Sequence, residues 1–167
     1  MQTSVIIGNI FSLLSVICVA ISVIKKNKKD FMLWQIGETL FGIIVNIILS
    51  AYAALVISIV CFVRNLLSYK NKLTQNITII LLLISIIIGL YANNLGIIGL
   101  LPIFASASYT ICIYITKNEQ QMRYASVVNT LLWFFHDKYI KAYPSAILCL
   151  ILSIWTSIQI IRNLKKK

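Results

Sequence analysis

The sequence predicts an all-α polytopic membrane protein with about seven transmembrane helices. Hydrophobic residues make up 60% of the chain and charged residues only 11%, whereas a soluble domain carries roughly 25% charged residues. Apolar runs such as residues 77–90 show no alternation of period two, so they do not predict strands. Because backbone groups in lipid must bond within their own segment, these runs are predicted to be helices.

Six apolar stretches follow one another along the chain, and the second is long enough for two helices. A helix needs about 20 residues to cross a bilayer. We therefore expect residues 31–67 to break near Ser50, Ala51 and Tyr52, where no glycine or proline marks the position. The predicted spans are Ser4–Ile24, two spans within Phe31–Leu67, Ile77–Ala92, Leu95–Ile115, Tyr124–Phe135 and Pro144–Ile161.

The positive charges predict how the chain is oriented. With seven spans and the N-terminus outside, 13 of the 15 Lys and Arg residues fall on one side, and only Lys138 and Lys141 fall on the other. Short loops rich in Lys and Arg remain in the cytoplasm. We therefore expect a multi-pass protein with an outer N-terminus and a cytoplasmic C-terminus. The net charge of +11 does not indicate a nucleic acid partner, because the charges cluster between apolar runs.

The layout of the spans predicts an internal parallel repeat of three helices, one linker helix and three helices. Glu38-Thr39-Leu40 in the second span corresponds to Asn129-Thr130-Leu131 in the sixth, and Arg64-Asn65-Leu66 to Arg162-Asn163-Leu164. Parallel repeats about an axis along the membrane normal occur in SWEET transporters. The predicted units are a first three-helix bundle at 1–68, a linker helix at 69–94 and a second three-helix bundle at 95–167.

Polar side chains on one face of the second span predict a binding site. Gln35, Glu38, Gly42 and Asn46 are spaced by three and four residues and therefore share a helical face. A charged group in a membrane helix usually faces the bundle interior and marks a solute or ion path. Two interpretations of Glu38 stay open: a proton- or cation-linked group in a polar cavity, or a protonated side chain that bonds a neighbouring helix as packing.

The sixth span carries a similar stripe of Asn129, Trp133 and His136. Trp133 could stack on a solute or anchor the helix at the membrane interface. We expect His136 and Asp137 at the outer rim of the protein. The candidate substrate-binding residues are thus Gln35, Glu38, Asn46, Asn129 and Trp133.

The fifth span contains Pro102, which removes a helical hydrogen bond and is a candidate kink or gating residue. No motif indicates an enzyme, a cofactor or a metal site. The cysteines are predicted to pack as small apolar residues, since all four lie within apolar runs as Cys18, Cys61, Cys112 and Cys149.

An ordered set of short motifs resembles the bacterial inner-membrane family called YgjV, over nearly the whole chain. The motifs are Phe62-Val63-Arg64-Asn65-Leu66, Leu101-Pro102, Lys117, Met122-Arg123, Trp133, His136 and Arg162. The resemblance implies a compact multi-span protein of the bacterial cytoplasmic (inner) membrane, with a layout similar to SWEET and PQ-loop transporters. The sequence departs from the family by lacking a glycine-rich outer turn near Ser50.

Two functions remain open at this stage. The first is a transporter or facilitator of a small polar solute, held between the two bundles. The second is a non-transporting membrane subunit or assembly factor. A transporter predicts that Glu38 faces the second bundle across a cavity, whereas a subunit could present Glu38 outward. The lipid bilayer is the expected partner in both cases, and a homo-oligomer stays open.

Overall fold

A computed structural model describes residues 2–24, 28–115 and 119–164, and seven α-helices account for almost all of them. The predicted basic residues at 25–26, 117 and 165–167 lie outside the described residues. The helices are α1 Gln2–Ile24, α2 Lys28–Ile48, α3 Tyr52–Tyr69, α4 Gln75–Tyr91, α5 Ile97–Ile115, α6 Glu119–Tyr139 and α7 Tyr143–Leu164. The prediction of an all-α protein with seven helices is confirmed.

Apolar side chains cover the outside of the bundle. Tyr91 is 93% exposed and Ile97 80% exposed, and large exposed apolar residues occur on every helix. Three helices are long and apolar enough to cross a membrane, and shorter apolar helices lie within α2, α4 and α5. Among the described residues, α6 is neither long and apolar enough to cross a membrane nor does it contain a shorter apolar helix. Four of its residues, Asn129, Thr130, Trp133 and Asp137, face the interior of the bundle.

Six of the helices form a ring, and the seventh lies outside it. Within the described residues, α1 contacts α2, α2 contacts α3, α3 contacts α5, α5 contacts α6, α6 contacts α7, and α7 contacts α1. Helix α4 packs against α3 and α5 only. The α4–α5 approach is close, since a Cβ on Gly89 would lie 3.0 Å from Cγ1 of Ile103. The predicted division at residues 68 and 94 stays a prediction.

The predicted break near Ser50 is confirmed, and an equivalent turn joins α6 to α7. Ser50 and Lys141 both adopt positive φ, at 55° and 64°. The Ala51 N–H donates to the Asn46 carbonyl and the Ala142 N–H to the Asp137 carbonyl, both at 2.9 Å. The two turns therefore have the same backbone construction, and they are related by a shift of 91 residues, the difference between positions 51 and 142. This shift also aligns Glu38 with Asn129, as the sequence predicts.

Each turn is held by an asparagine from a distant part of the chain. Asn9 donates to the Lys141 carbonyl at 3.0 Å and accepts from the Tyr143 N–H at 2.9 Å. Asn94 donates to the Ser50 carbonyl at 2.6 Å and accepts from the Tyr52 N–H at 3.1 Å. We call the end of the bundle that contains these turns the turn end. The matching bonds support the predicted parallel repeat.

Two details of the prediction are wrong. The sixth helix continues to Tyr139, so His136 and Asp137 lie within α6 and not in a polar turn. The match between Arg64 and Arg162 also fails, because those positions differ by 98 residues and not by 91. Arg64 faces the interior, whereas Arg162 is exposed at the end of α7.

Candidate solute cavity

A polar cavity of about 280 Å³ lies at the centre of the ring. All six ring helices contribute to its wall and α4 does not. Ligand sites are usually about 300–1,000 Å³, so the volume of this cavity lies just below the usual range. Its polar lining residues are Ser12, Ser15, Gln35, Glu38, Thr39, Asn46, Ser58, Arg64, Asn65, Ser106, Tyr109, Asn129, Thr130, Trp133, Asp137 and Ser145.

All five candidate binding residues lie on this wall: Gln35, Glu38, Asn46, Asn129 and Trp133. The first three lie on α2 and the last two on α6, across the ring. Gln35 donates to the Ser22 hydroxyl on α1, and Asn46 donates to the Ser58 hydroxyl on α3, each at 3.0 Å. Pro102 is fully buried in α5 and does not line the cavity. Its role as a kink or gate stays a prediction.

Glu38 lies in the middle of α2, ten residues before the helix ends at Ile48. At 1.5 Å per residue, this places Glu38 about 15 Å from the turn end. Its carboxylate makes no side-chain hydrogen bond to a described residue, and its backbone carbonyl accepts from Ser15 at 3.2 Å. Glu38 lines the cavity together with Arg64 and Asp137. The side chain therefore faces the cavity and not the lipid.

Asp137, His136 and Ser145 form a hydrogen-bonded cluster at the turn end of the cavity. His136 Nδ1 lies 3.0 Å from one Asp137 oxygen, and the Ser145 hydroxyl donates to the other at 2.5 Å. His136 is 0% exposed, so its predicted position at an outer rim is wrong. Among the buried side-chain polar atoms of the described residues, His136 Nε2 alone has no partner.

Two charged wall residues, Arg64 and Asp137, were missed by the sequence interpretation. Arg64 was assigned to a cytoplasmic connection, but α3 continues five residues beyond it to Tyr69. Asp137 was assigned to a rim, although it lies four residues after Trp133 and eight after Asn129, on the same helical face. The continued three-and-four spacing was the signal that could have identified Asp137.

The described cysteines are free, and two of them lie on the cavity wall. In the described part of the chain, no group of three or more His, Cys, Asp or Glu residues is placed to hold a metal ion. Cys18, Cys61 and Cys149 are free thiols, and the last two contribute to the cavity wall. The side chain of Cys112 lies outside the described residues.

Comparison with known proteins identifies the family. A family model described as a bacterial inner membrane protein, Imp-YgjV, matches residues 6–167. No curated protein and no solved structure matches the chain. The match covers almost the entire sequence and agrees with the apolar helices and lipid-facing exterior. The chain therefore belongs to the YgjV family of bacterial inner membrane proteins.

Proposed function

We propose that this protein is a transporter or facilitator that holds a small polar solute between the two halves of its helical ring. The observation that carries the proposal is the central cavity, which places Glu38 opposite Asn129 and Trp133 of the second half. Polar groups inside a membrane are costly and usually mark a solute or ion path. The proposed binding residues are Gln35, Glu38, Asn46, Asn129 and Trp133, and the proposal assigns no chemical reaction to the chain.

The repeated turns suggest how such a site could be exposed alternately to the two sides. Parallel repeats in transporters enclose a site near the bilayer midplane, and rocking of one half against the other opens it to either side. Here the halves meet at two places, α3 against α5 and α7 against α1. A movement at these two contacts would open the cavity without breaking either three-helix unit.

The alternative is a non-transporting membrane subunit, which could present its intramembrane acid outward to a partner. Glu38 instead lines the internal cavity, which favours the transporter. The predicted orientation, with the turn end outside and the C-terminus in the cytoplasm, is part of the proposal. It would place Lys138 and Lys141 outside and Lys70 and Lys72 in the cytoplasm.

Thermal unfolding of the detergent-purified protein against a panel of sugars, nucleosides, vitamins, amines and amino acids tests the proposal. A ligand at 100 times its Kd stabilises a protein by about 2.7 kcal/mol, which shifts the unfolding midpoint. We expect one chemical class to shift the wild type and to lose its effect in Glu38→Gln. Asp30→Asn is the matched control, since Asp30 is exposed and does not line the cavity.

Transport of the same ligand into proteoliposomes then separates transport from binding alone. Uptake by the wild type that Glu38→Gln abolishes and Asp30→Asn retains would support the proposal. If no member of the panel stabilises the wild type, and Glu38→Gln unfolds at the same midpoint, the solute-transport proposal is wrong. A search for partner proteins would then follow.

A further inference from the structure

The ionisable groups on the cavity wall include more acidic than basic side chains. Two carboxylates, Glu38 and Asp137, and one guanidinium, Arg64, line the cavity among the described residues. Arg64 lies 12 residues after the start of α3 at Tyr52, about 18 Å from the turn end, and is therefore at nearly the same depth as Glu38. Along the helix axes, Asp137 lies about 12 Å nearer the turn end than Glu38, because it is only two residues from the end of α6. Asp137 is therefore the acid without a permanent counter-charge.

The hydrogen bonds around Asp137 do not supply that counter-charge. His136 Nδ1 and the Ser145 hydroxyl each reach one carboxylate oxygen. A neutral imidazole with its hydrogen on Nδ1 makes this bond and leaves Nε2 as a bare lone pair. A doubly protonated ring would bury a charged Nε2–H with no acceptor, which costs more than an unsatisfied neutral group. The geometry thus favours two neutral donors around one carboxylate.

The repeat shows that the charge is not needed to build this corner of the fold. The 91-residue shift aligns Asp137 with Asn46, and both carbonyls accept the same bond in their turns. Asn46 also donates to a serine of the next helix, Ser58, whereas Asp137 accepts from Ser145, a serine at a different position of the next helix. An amide therefore performs the structural role in the first half. The carboxylate in the second half also bonds His136, whose equivalent in the first half is Val45, and it adds a negative charge that borders the cavity.

Trp133 lies one helical turn before Asp137 and lines the same cavity. A carboxylate beside an aromatic ring is the chemical arrangement that recognises ammonium groups, by charge pairing and by cation–π attraction. We propose that the cavity binds a small organic cation through its ammonium group, with Asp137 as the counter-ion and Trp133 as the aromatic wall. This inference rests on the proposed solute-binding function and names its substrate class.

Trp133 can report on this binding. The chain contains three tryptophans, and neither Trp34 nor Trp155 lines the cavity. In the full-length Trp34→Phe/Trp155→Phe protein, the fluorescence of Trp133 is titrated with ethylammonium, ethanol and acetate, which are similar in size but differ in charge. We expect a saturable change with ethylammonium alone. Saturation by acetate or ethanol at equal or lower concentration would overturn the proposal without any variant in the cavity.

Two further variants test whether the charge of Asp137 is specifically required. Asp137→Asn removes the charge, and we expect ethylammonium to bind about 10- to 100-fold more weakly, the usual range for losing a charge-assisted bond. Asp30→Asn removes the charge of an exposed carboxylate that does not line the cavity, so binding should be retained. Equal affinity in Asp137→Asn and wild type would refute the assignment.

The metabolite panel and the ethylammonium titration together distinguish a wrong cation assignment from a wrong solute-binding function. If the metabolite panel yields a neutral or anionic ligand while ethylammonium does not bind, the cavity binds a solute but the cation assignment is wrong. If neither the panel nor ethylammonium affects the protein, the solute-binding function fails with it. A cation from the panel whose effect is lost in Asp137→Asn would support both.

Discussion

Replacing either turn-holding asparagine with alanine should destabilise the protein by a similar amount. Asn9 and Asn94 each make two hydrogen bonds to a distant turn, one to a carbonyl and one from the N–H that begins the next helix. A hydrogen bond contributes about 0.5–1.5 kcal/mol to stability, so two bonds amount to about 1–3 kcal/mol. Because these groups are near the surface and water can replace part of the loss, we expect about 1–2 kcal/mol for each variant.

Equilibrium unfolding in mixed micelles of dodecyl maltoside and SDS, followed by circular dichroism, measures these free energies. Asn76→Ala is the matched control, because Asn76 is exposed and its side chain makes no hydrogen bond within the described chain. Exposed positions of this kind usually change stability by less than about 0.5 kcal/mol. If Asn9→Ala is destabilising and Asn94→Ala behaves like the control, the two turns are not equivalent, and the repeat deduced from them is wrong.

Other predictions test packing, backbone strain and orientation. Gly89→Leu should destabilise the protein by about 1–3 kcal/mol, because the new side chain meets Ile103. Unfolding in the same micelles measures this difference. An unchanged free energy of unfolding would show that α4 can move away from α5. Lys141→Gly should stabilise the protein by up to about 1 kcal/mol, because Lys141 adopts a φ of 64°, which glycine adopts without a steric penalty. A lower free energy of unfolding in this variant would contradict the backbone geometry of the turn. Orientation can be tested in a background in which the native cysteines are replaced by alanine. In cells with a permeabilised outer membrane and an intact inner membrane, Lys141→Cys should react with an impermeant maleimide. Lys70→Cys should react only after the inner membrane is opened. The reverse pattern would invert the proposed orientation.

Much of the architecture could be predicted because it depends on local composition. The apolar runs and the polar breaks between them predicted seven helices, and even the unmarked break near Ser50 followed from the length of the stretch. The stripe of Gln35, Glu38 and Asn46 followed from helical spacing. The exact end of α6 did not, because a His-Asp pair looks like part of a loop when the bond from Asp137 to Ser145 of α7 is unknown.

The charged groups on the cavity wall could not all be predicted for the same reason. Arg64 lies near the end of an apolar run, where a basic residue usually marks the cytoplasmic boundary. It is the ring of six helices that turns this position inward to the cavity with Glu38. The register of the repeat was likewise obscured by Arg162, a local sequence match that lies seven residues beyond the equivalent position.

By itself, the sequence determined that the chain is helical, that it is solvated by lipid, and which face of α2 and α6 is polar. These properties follow from hydrophobicity and from a helical period of 3.6 residues, both of which act within one segment. Only the tertiary structure decided that the polar faces of α2 and α6 share one cavity, that Asn9 and Asn94 hold equivalent turns, and that Asp137 bonds a buried His136 and Ser145. Apart from the bond between the neighbours His136 and Asp137, those contacts join different helices or a helix and a distant turn, and their positions depend on how the six helices pack around the ring.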